Sequence, residues 1–261
     1  MMPLYYTLHD ARRWAAFSGD YNPVHFDESW VKARGGNVLS VHGMRALLDV
    51  KRFISPVINH SPFLKCTVRL RRPLWCDTPY TLVRDEKKRV AATVADLSAG
   101  QVCLSCQMMP ESAFPLSAHV SQRELDRPEL ASLQQMFAPL LPHAQAWHFL
   151  DALLFRYLIQ DDALLRQEAI ATILPQCATL EALFVHFPVV QTHQEIVFDS
   201  RLLADWRPLP SPEPLIIETL PALVVGDLLQ GAIVRIAARI RNQNLAISNA
   251  VTLKVGPASV Q

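Results

Sequence analysis

The chain has 261 residues, half of them apolar, 5 cysteines and a formal charge of +1. A balance this close to neutral argues against nucleic acid as the main partner. No apolar run reaches membrane-spanning length, the longest, near residues 152–159, being broken by Arg156. The length suffices for one sizeable core or two smaller ones. An odd cysteine count in a mid-sized chain fits a reducing cytoplasm, and no basic region precedes an apolar stretch at the N-terminus, so no signal peptide is expected.

In chain order, a helix is expected from Thr7 to Phe17. It must stop before Asn22-Pro23, because proline fixes its own φ and pushes the preceding residue out of the helical region. The next helix is expected near Asp27, whose side chain suits its N-cap. The turn between them carries Asp20 and His25, an acid and an imidazole placed to share a proton-transfer role. Val41-His42-Gly43-Met44 then opens a helical run with an apolar face of Met44, Leu47, Leu48, Phe53 and Ile54. A bare glycine at a helix start leaves a backbone N–H accessible. Arg45, Asp49 and Arg52 share one stripe of this helix, which reads as an ion pair on its solvent-facing or inter-unit side.

Strand patterns follow at Val68 and Leu70, and at Val102, Leu104 and Cys106. Cys103 and Cys106 have C-x-x-C spacing, but in a strand they point to opposite faces, which disfavours a metal or redox role. His186 and His193 fall in no metal-ligand pattern, and no metal site is expected. The arginines at 69, 71, 72, 235, 239 and 241 read as a solvated sheet face. Residues 110–127 look like a linker, rich in proline and polar residues.

Similar pieces recur in order on either side. Val41 to Leu48 resembles Trp147 to Leu154; Thr67 to Asp77 resembles Glu195 to Asp205; Ala95 to Ser105 resembles Ala238 to Ser248. In the second half Leu150, Leu153, Leu154, Tyr157 and Leu158 are helical, and Val234, Ile236, Ala238 and Ile240 alternate with polar or small residues. Periodicity thus gives one helix followed by strands, twice. The second half lacks the acid–histidine turn, and Phe149 stands where Gly43 does.

Ser18-Gly19-Asp20-x-Asn22-Pro23-x-His25-x-Asp27 followed by His42-Gly43 resembles the signature of the MaoC-like, R-specific enoyl-thioester hydratases and dehydratases. The resemblance implies an α+β double hot-dog, each unit a central helix wrapped by an antiparallel sheet. A catalytic unit at 1–113, a linker at 114–127 and a degenerate unit at 128–257 are expected. It implies reversible hydration of trans-2-enoyl thioesters of coenzyme A or acyl carrier protein. No cofactor is needed beyond the substrate's own carrier, and the chain would work as a monomeric pseudo-dimer or a homodimer. His25 would be the base for water with Asp20 its partner, and the Gly43 N–H would donate to the thioester oxyanion. Asn22, Ser40, His42 and Arg45 are the expected substrate-binding residues, with Asn22 also orienting the loop, and Ser40 and His42 otherwise fixing the segment before the helix. Arg45 or Lys51 facing the tunnel would select carboxylated or short polar acyl groups. The basic residues would otherwise hold coenzyme A phosphates or an acidic carrier protein. A non-catalytic acyl-thioester-binding subunit and a hot-dog thioesterase are the competing readings.

Overall fold

Thr7 starts the first helix, α1 (Leu8–Ser18), through a capping box in which its backbone and hydroxyl both donate to Asp10. Gly19, at φ 77°, ends it in the left-handed region that glycine adopts without strain. A single 3-10 turn over Pro23–His25 follows, with the Asn22 side chain accepting from the Val24 N–H. Asp27 caps α2 (Glu28–Ala33), as its position in the sequence implies. The apolar run becomes α3 (Gly43–Ile54), buried at Met44, Ala46, Leu47, Leu48, Val50 and Ile54.

The computed structural model describes residues 1–56, 60–85, 90–173, 183, 187–227, 229–242 and 245–256. His186 lies outside them. Around α3 run β1 (Met2–Tyr5), β2 (Phe63–Leu70), β3 (Pro79–Arg84), β4 (Ala91–Asp96) and β5 (Val102–Glu111). The second half repeats the plan. After β6 (Ser121–Leu125) and α4 (Arg127–Phe137) comes the long α5 (Ala146–Gln160), then short α6 (Asp162–Leu165) and α7 (Glu168–Ala171). Strands β7 (Val189–Asp199), β8 (Leu215–Thr219), β9 (Leu223–Asp227), β10 (Gly231–Arg241) and β11 (Ala246–Val255) complete it. All pairings are antiparallel and join into one sheet of order β1-β3-β4-β5-β2-β7-β11-β10-β8-β6, with β9 beside β10. The fold is a double hot-dog.

The seam between the halves is β2 against β7, in register from Phe63↔Asp199 to Arg69↔His193. Each half supplies the partner for what would otherwise be the other's open strand edge. Beneath it a polar knot crosses the halves. The Lys51 ammonium pairs with the Asp151 carboxylate and donates to Gln194 at 2.8 Å, while Gln194 and Asn249 donate to Asp151 at 3.0 and 2.9 Å. All four side chains are fully buried. Burial pushes the Asp151 carboxyl up, and the Lys51 charge and hydrogen bonds oppose that. Lys51 is therefore part of the core and not of any tunnel, because its charge is matched across the halves.

The expected linker of residues 114–127 is shorter than its composition implies. Ser121–Leu125 form β6, which pairs with β8, and α4 begins at Arg127. The polar segment is an edge strand, held by its neighbour's backbone and not by an apolar face of its own. The C-x-x-C cysteines have separate neighbours: Cys106 Sγ lies 3.5 Å from Cys66 Sγ, and Cys103 Sγ 3.6 Å from the Gln101 carbonyl. Both are buried, and the four cysteines among the described residues are free thiols.

Candidate active site

The turn imposed by Pro23 delivers His25 beside the segment that enters α3. His25 Nδ1 meets the Ser40 carbonyl at 2.8 Å and the Ser40 hydroxyl at 3.1 Å. With Nδ1 engaged on the backbone side, Nε2 is the nitrogen left for chemistry. Asp20 sits at the entry of the same turn, its backbone N–H bonded to the Ser18 hydroxyl and its carboxylate accepting from the Asn22 N–H. Burial pushes the Asp20 carboxyl up and the His25 imidazole down, and each opposes the other's shift by its charge. The charge of each therefore favours the ionised form of the other.

His42 stands behind His25. Its ring stacks on the His25 ring at 3.7 Å and 27°, and its Nε2 meets the Asp20 carbonyl at 3.0 Å. It is 1% exposed and lies outside the cavity lining, so the expected substrate contact at His42 is replaced by a support role. Burial and the neighbouring His25 push its imidazole well down, and its Nδ1 is buried without a partner. Ligand-type atoms of Asp20, His25 and His42 all lie within 4.8 Å of one another. A nitrogen lone pair lies in its ring plane, so two nearly parallel rings 3.7 Å apart do not aim at one point at a metal-bond distance of about 2 Å. The group does not fit one ion.

Asp20, Asn22, His25, Ser40 and Gly43 line one end of a cavity of about 390 Å³. Its wall is mostly apolar and comes from both halves: Met44, Leu70, Leu74 and Leu104 from the first, Phe155, Leu158, Ile159, Val189, Ile236, Val251 and Leu253 from the second. Exposed Arg71 and Arg72 and partly exposed Trp75 also line it. From the sequence Arg71 and Arg72 read as a solvated sheet face, with phosphate or carrier-protein binding as the alternative, and Trp75 was not read as a site residue. The loop from Arg71 to Cys76 is pinned by Val41 N–H to the Leu74 carbonyl and Cys76 N–H to the Leu39 carbonyl.

Gly43 opens α3 with no side chain capping it. A Cβ built there would lie 2.7 Å from Leu70 Cδ2, so a side chain at this position would have to displace the Leu70 methyl at the mouth. The first-turn N–H groups of a helix have no intrahelical partner, and the dipole makes this end electropositive. Arg45, expected to bind substrate, does not line the cavity. Its guanidinium pairs with Asp49 at 2.8 Å and lies 3.9 Å from Asp10 and 5.5 Å from the Tyr6 ring centre. Arg52 reaches the same Asp49 at 3.6 Å. The stripe is an ion-pair cluster, and Arg45 leaves the set of binding residues.

Among the described residues of the second half, the start of α5 is capped and packed over. Isolated bridges Ser40↔Trp75 and Gln145↔Asp205 mark matching places in the two halves. Val41 and His42 separate the first bridge from its helix, whereas α5 begins directly after Gln145. His148 lies three residues after its bridge residue, as Gly43 does after Ser40, and Phe149 follows it. The Gln145 N–H donates to His148 Nδ1 at 2.9 Å in a capping box, and His148 Nε2 meets the Ser55 hydroxyl at 3.1 Å. Trp147 stacks on Phe198 at 4.6 Å, and Phe149 on Trp206 at 4.9 Å.

An acid–imidazole pair facing an electropositive helix start at the end of an apolar cleft can move a proton and stabilise a developing oxyanion together. No family model matches the sequence, and no curated protein matches it. Among solved structures the chain is similar to a MaoC-like dehydratase, at 10% identity and TM-score 0.49 over 98% of this chain and 96% of that one. It is similar to RV0216 of Mycobacterium tuberculosis, which has a double hot-dog fold, at 11% identity and TM-score 0.48 over 97% and 93%. It is also similar to R-hydratase PhaJ1 from Pseudomonas aeruginosa, at 20% identity and TM-score 0.31 over 45% of this chain and 87% of that one.

Proposed function

We propose that this chain hydrates trans-2-enoyl thioesters to 3-hydroxyacyl thioesters, or runs the reverse dehydration, with a single active site in its first half. One observation carries the reading: Asp20, His25 and the uncapped start of α3 at Gly43 meet at one end of an apolar cleft. A pure binding module needs none of these three. R-specificity is taken from the motif resemblance.

In hydration, water loses a proton as its oxygen attacks the β-carbon. His25 Nε2 accepts that proton, and the Asp20–His25 pair returns one to the α-carbon, so no net proton is consumed. Negative charge builds on the thioester oxygen, where the Gly43 N–H is the donor; one such donor lowers the barrier by about 3 kcal/mol in comparable sites. Asn22 holds the turn. Arg71 and Arg72 suit the anionic carrier of the acyl group, coenzyme A or a carrier protein, and the apolar wall suits an acyl chain without distal charge.

The test is incubation with crotonyl-CoA, following loss of the conjugated enoyl absorbance and release of free thiol. Loss of absorbance without thiol is the expected result. Thiol release would instead make the chain a thioesterase. Neither signal across a panel of acyl thioesters of increasing length would leave a binding subunit.

A further inference from the structure

We infer that the degenerate second half positions the catalytic turn of the first, through Arg156 and Gln160 of α5; this rests on the hydratase reading above. The two residues are one helical turn apart and so share a face. The Arg156 guanidinium donates to the Phe17 carbonyl in the last turn of α1. The last carbonyls of a helix lack intrahelical partners and carry the negative end of its dipole. That turn of α1 contains no basic residue of its own. The cation it lacks comes from the other half, three residues before Asp20.

Gln160 completes the grip. The end of its side chain, Nε2, lies against the place where a Cβ on Gly19 would be. Gly19 is the left-handed residue that turns the chain from α1 into the site. The same helix walls the cavity with Phe155, Leu158 and Ile159 and packs Phe155 against Trp14 of α1, ring centres 6.0 Å apart. Position along α1 therefore sets where the Asp20 carboxylate stands against His25. Misplacement of reacting groups by about 1 Å can cost on the order of a hundredfold in rate. Arg156 touches no reacting atom; it is a positioning residue.

The test compares Arg156→Met, Arg156→Lys and Gln160→Ala in the full chain. Arg156→Met is expected to lower kcat about tenfold or more with KM within about twofold, and Arg156→Lys to restore most of the loss. Amide hydrogen exchange across residues 17–22 is expected to accelerate in Arg156→Met and not in Arg156→Lys. Native kcat and native exchange in a folded Arg156→Met would overturn the inference, as would a loss confined to KM. Should Arg156→Met not fold, Gln160→Ala decides at an exposed side chain: a kcat drop of about threefold or more supports the grip, and an unchanged kcat sinks it. Asp20→Asn run in parallel separates the two ideas. If it keeps turnover, the hydratase reading fails; if it is inactive while Arg156→Met is native, only the positioning role fails. The exchange measurement needs no turnover at all.

Discussion

At the start of α3 the backbone is bare: a glycine, no side-chain cap, a cleft in front. At the start of α5 the helix begins at the bridge itself, caps itself with Gln145 and His148, and lies under Trp147, Phe198, Phe149 and Trp206. The same architecture thus leaves one helix start open to the shared cleft and packs the other into the core. What differs is local: two residues between bridge and helix, a side-chain cap from His148, and the segment carrying Trp206. An open helix start is available to this fold, and filling it is what removes a site.

The largest effect that can break this contrast is on turnover. Asp20→Asn and His25→Ala are each expected to lower kcat about a thousandfold or more, and the double variant about as much as either alone, because the two act as a unit. Steady-state kinetics on the best enoyl thioester checks this, and near-native turnover in either single variant would leave the first half no more catalytic than the second.

Next is the knot that ties the halves. Lys51→Met leaves Asp151 buried without its cation and is expected to cost about 3–5 kcal/mol, whereas Lys51→Met with Asp151→Leu regains most of it. Urea titration of the three proteins measures both. A harmless single variant would mean that the seam, and not this pair, holds the halves in register.

Converting one helix start towards the other gives an intermediate effect. Gly43→Ala puts a methyl against Leu70 beside the oxyanion donor, and kcat is expected to fall on the order of tenfold to a hundredfold while Tm stays within a few degrees. Full activity would remove the α3 start from the chemistry.

Acid probes the buried histidines of both halves through stability. Burial lowers the His148 pKa to about 3 from 6.5. Between those values the unfolded chain binds the proton and the folded chain does not, so stability is full above pH 6.5 and falls as pH drops towards 3. His25 and His42, also pushed down, act in the same sense. Asp20, pushed up, holds its proton in the folded state to higher pH than in the unfolded one and partly offsets the fall above pH 3.8. His148→Gln is expected to flatten the acid limb by a few kcal/mol without altering turnover at pH 7. An unchanged limb would show that the capped helix start is not what acid attacks.

The smallest effect is expected at Arg45. Arg45→Leu should leave the ratio of kcat/KM for apolar and carboxylated enoyl-CoA within about twofold. A tenfold shift, about 1.4 kcal/mol, would return the residue to the pocket.

The turn that carries Asp20 and His25 was legible because its causes are local. Pro23 bars the helix, Asp27 caps the next one, and Gly43 bares the α3 start, all within short stretches. The repeat of helix and strands was legible from periodicity, since each apolar face must meet a core. Lys51 was not, because its counter-ion Asp151 lies 100 residues away and no local spacing records it. Residues 121–125 read as linker because an exposed edge strand is defined by its partner β8. The Arg156 contact left no trace because its acceptor is a backbone carbonyl, which every residue carries.

The seam between β2 and β7 has a further consequence. In a pair of identical chains related by a twofold axis, each substitution is made twice, so a change that closes one pocket closes the other. Here both halves lie on one chain and meet in one continuous sheet. A replacement in either half is made once. Bulky aromatic residues could therefore accumulate at Trp147, Phe149 and Trp206, adding packing to the molecule, while Gly43 and its surroundings stayed open and unfilled. Stability and activity, which compete for the same residues within a single pocket, are divided here between two addresses in the same gene product.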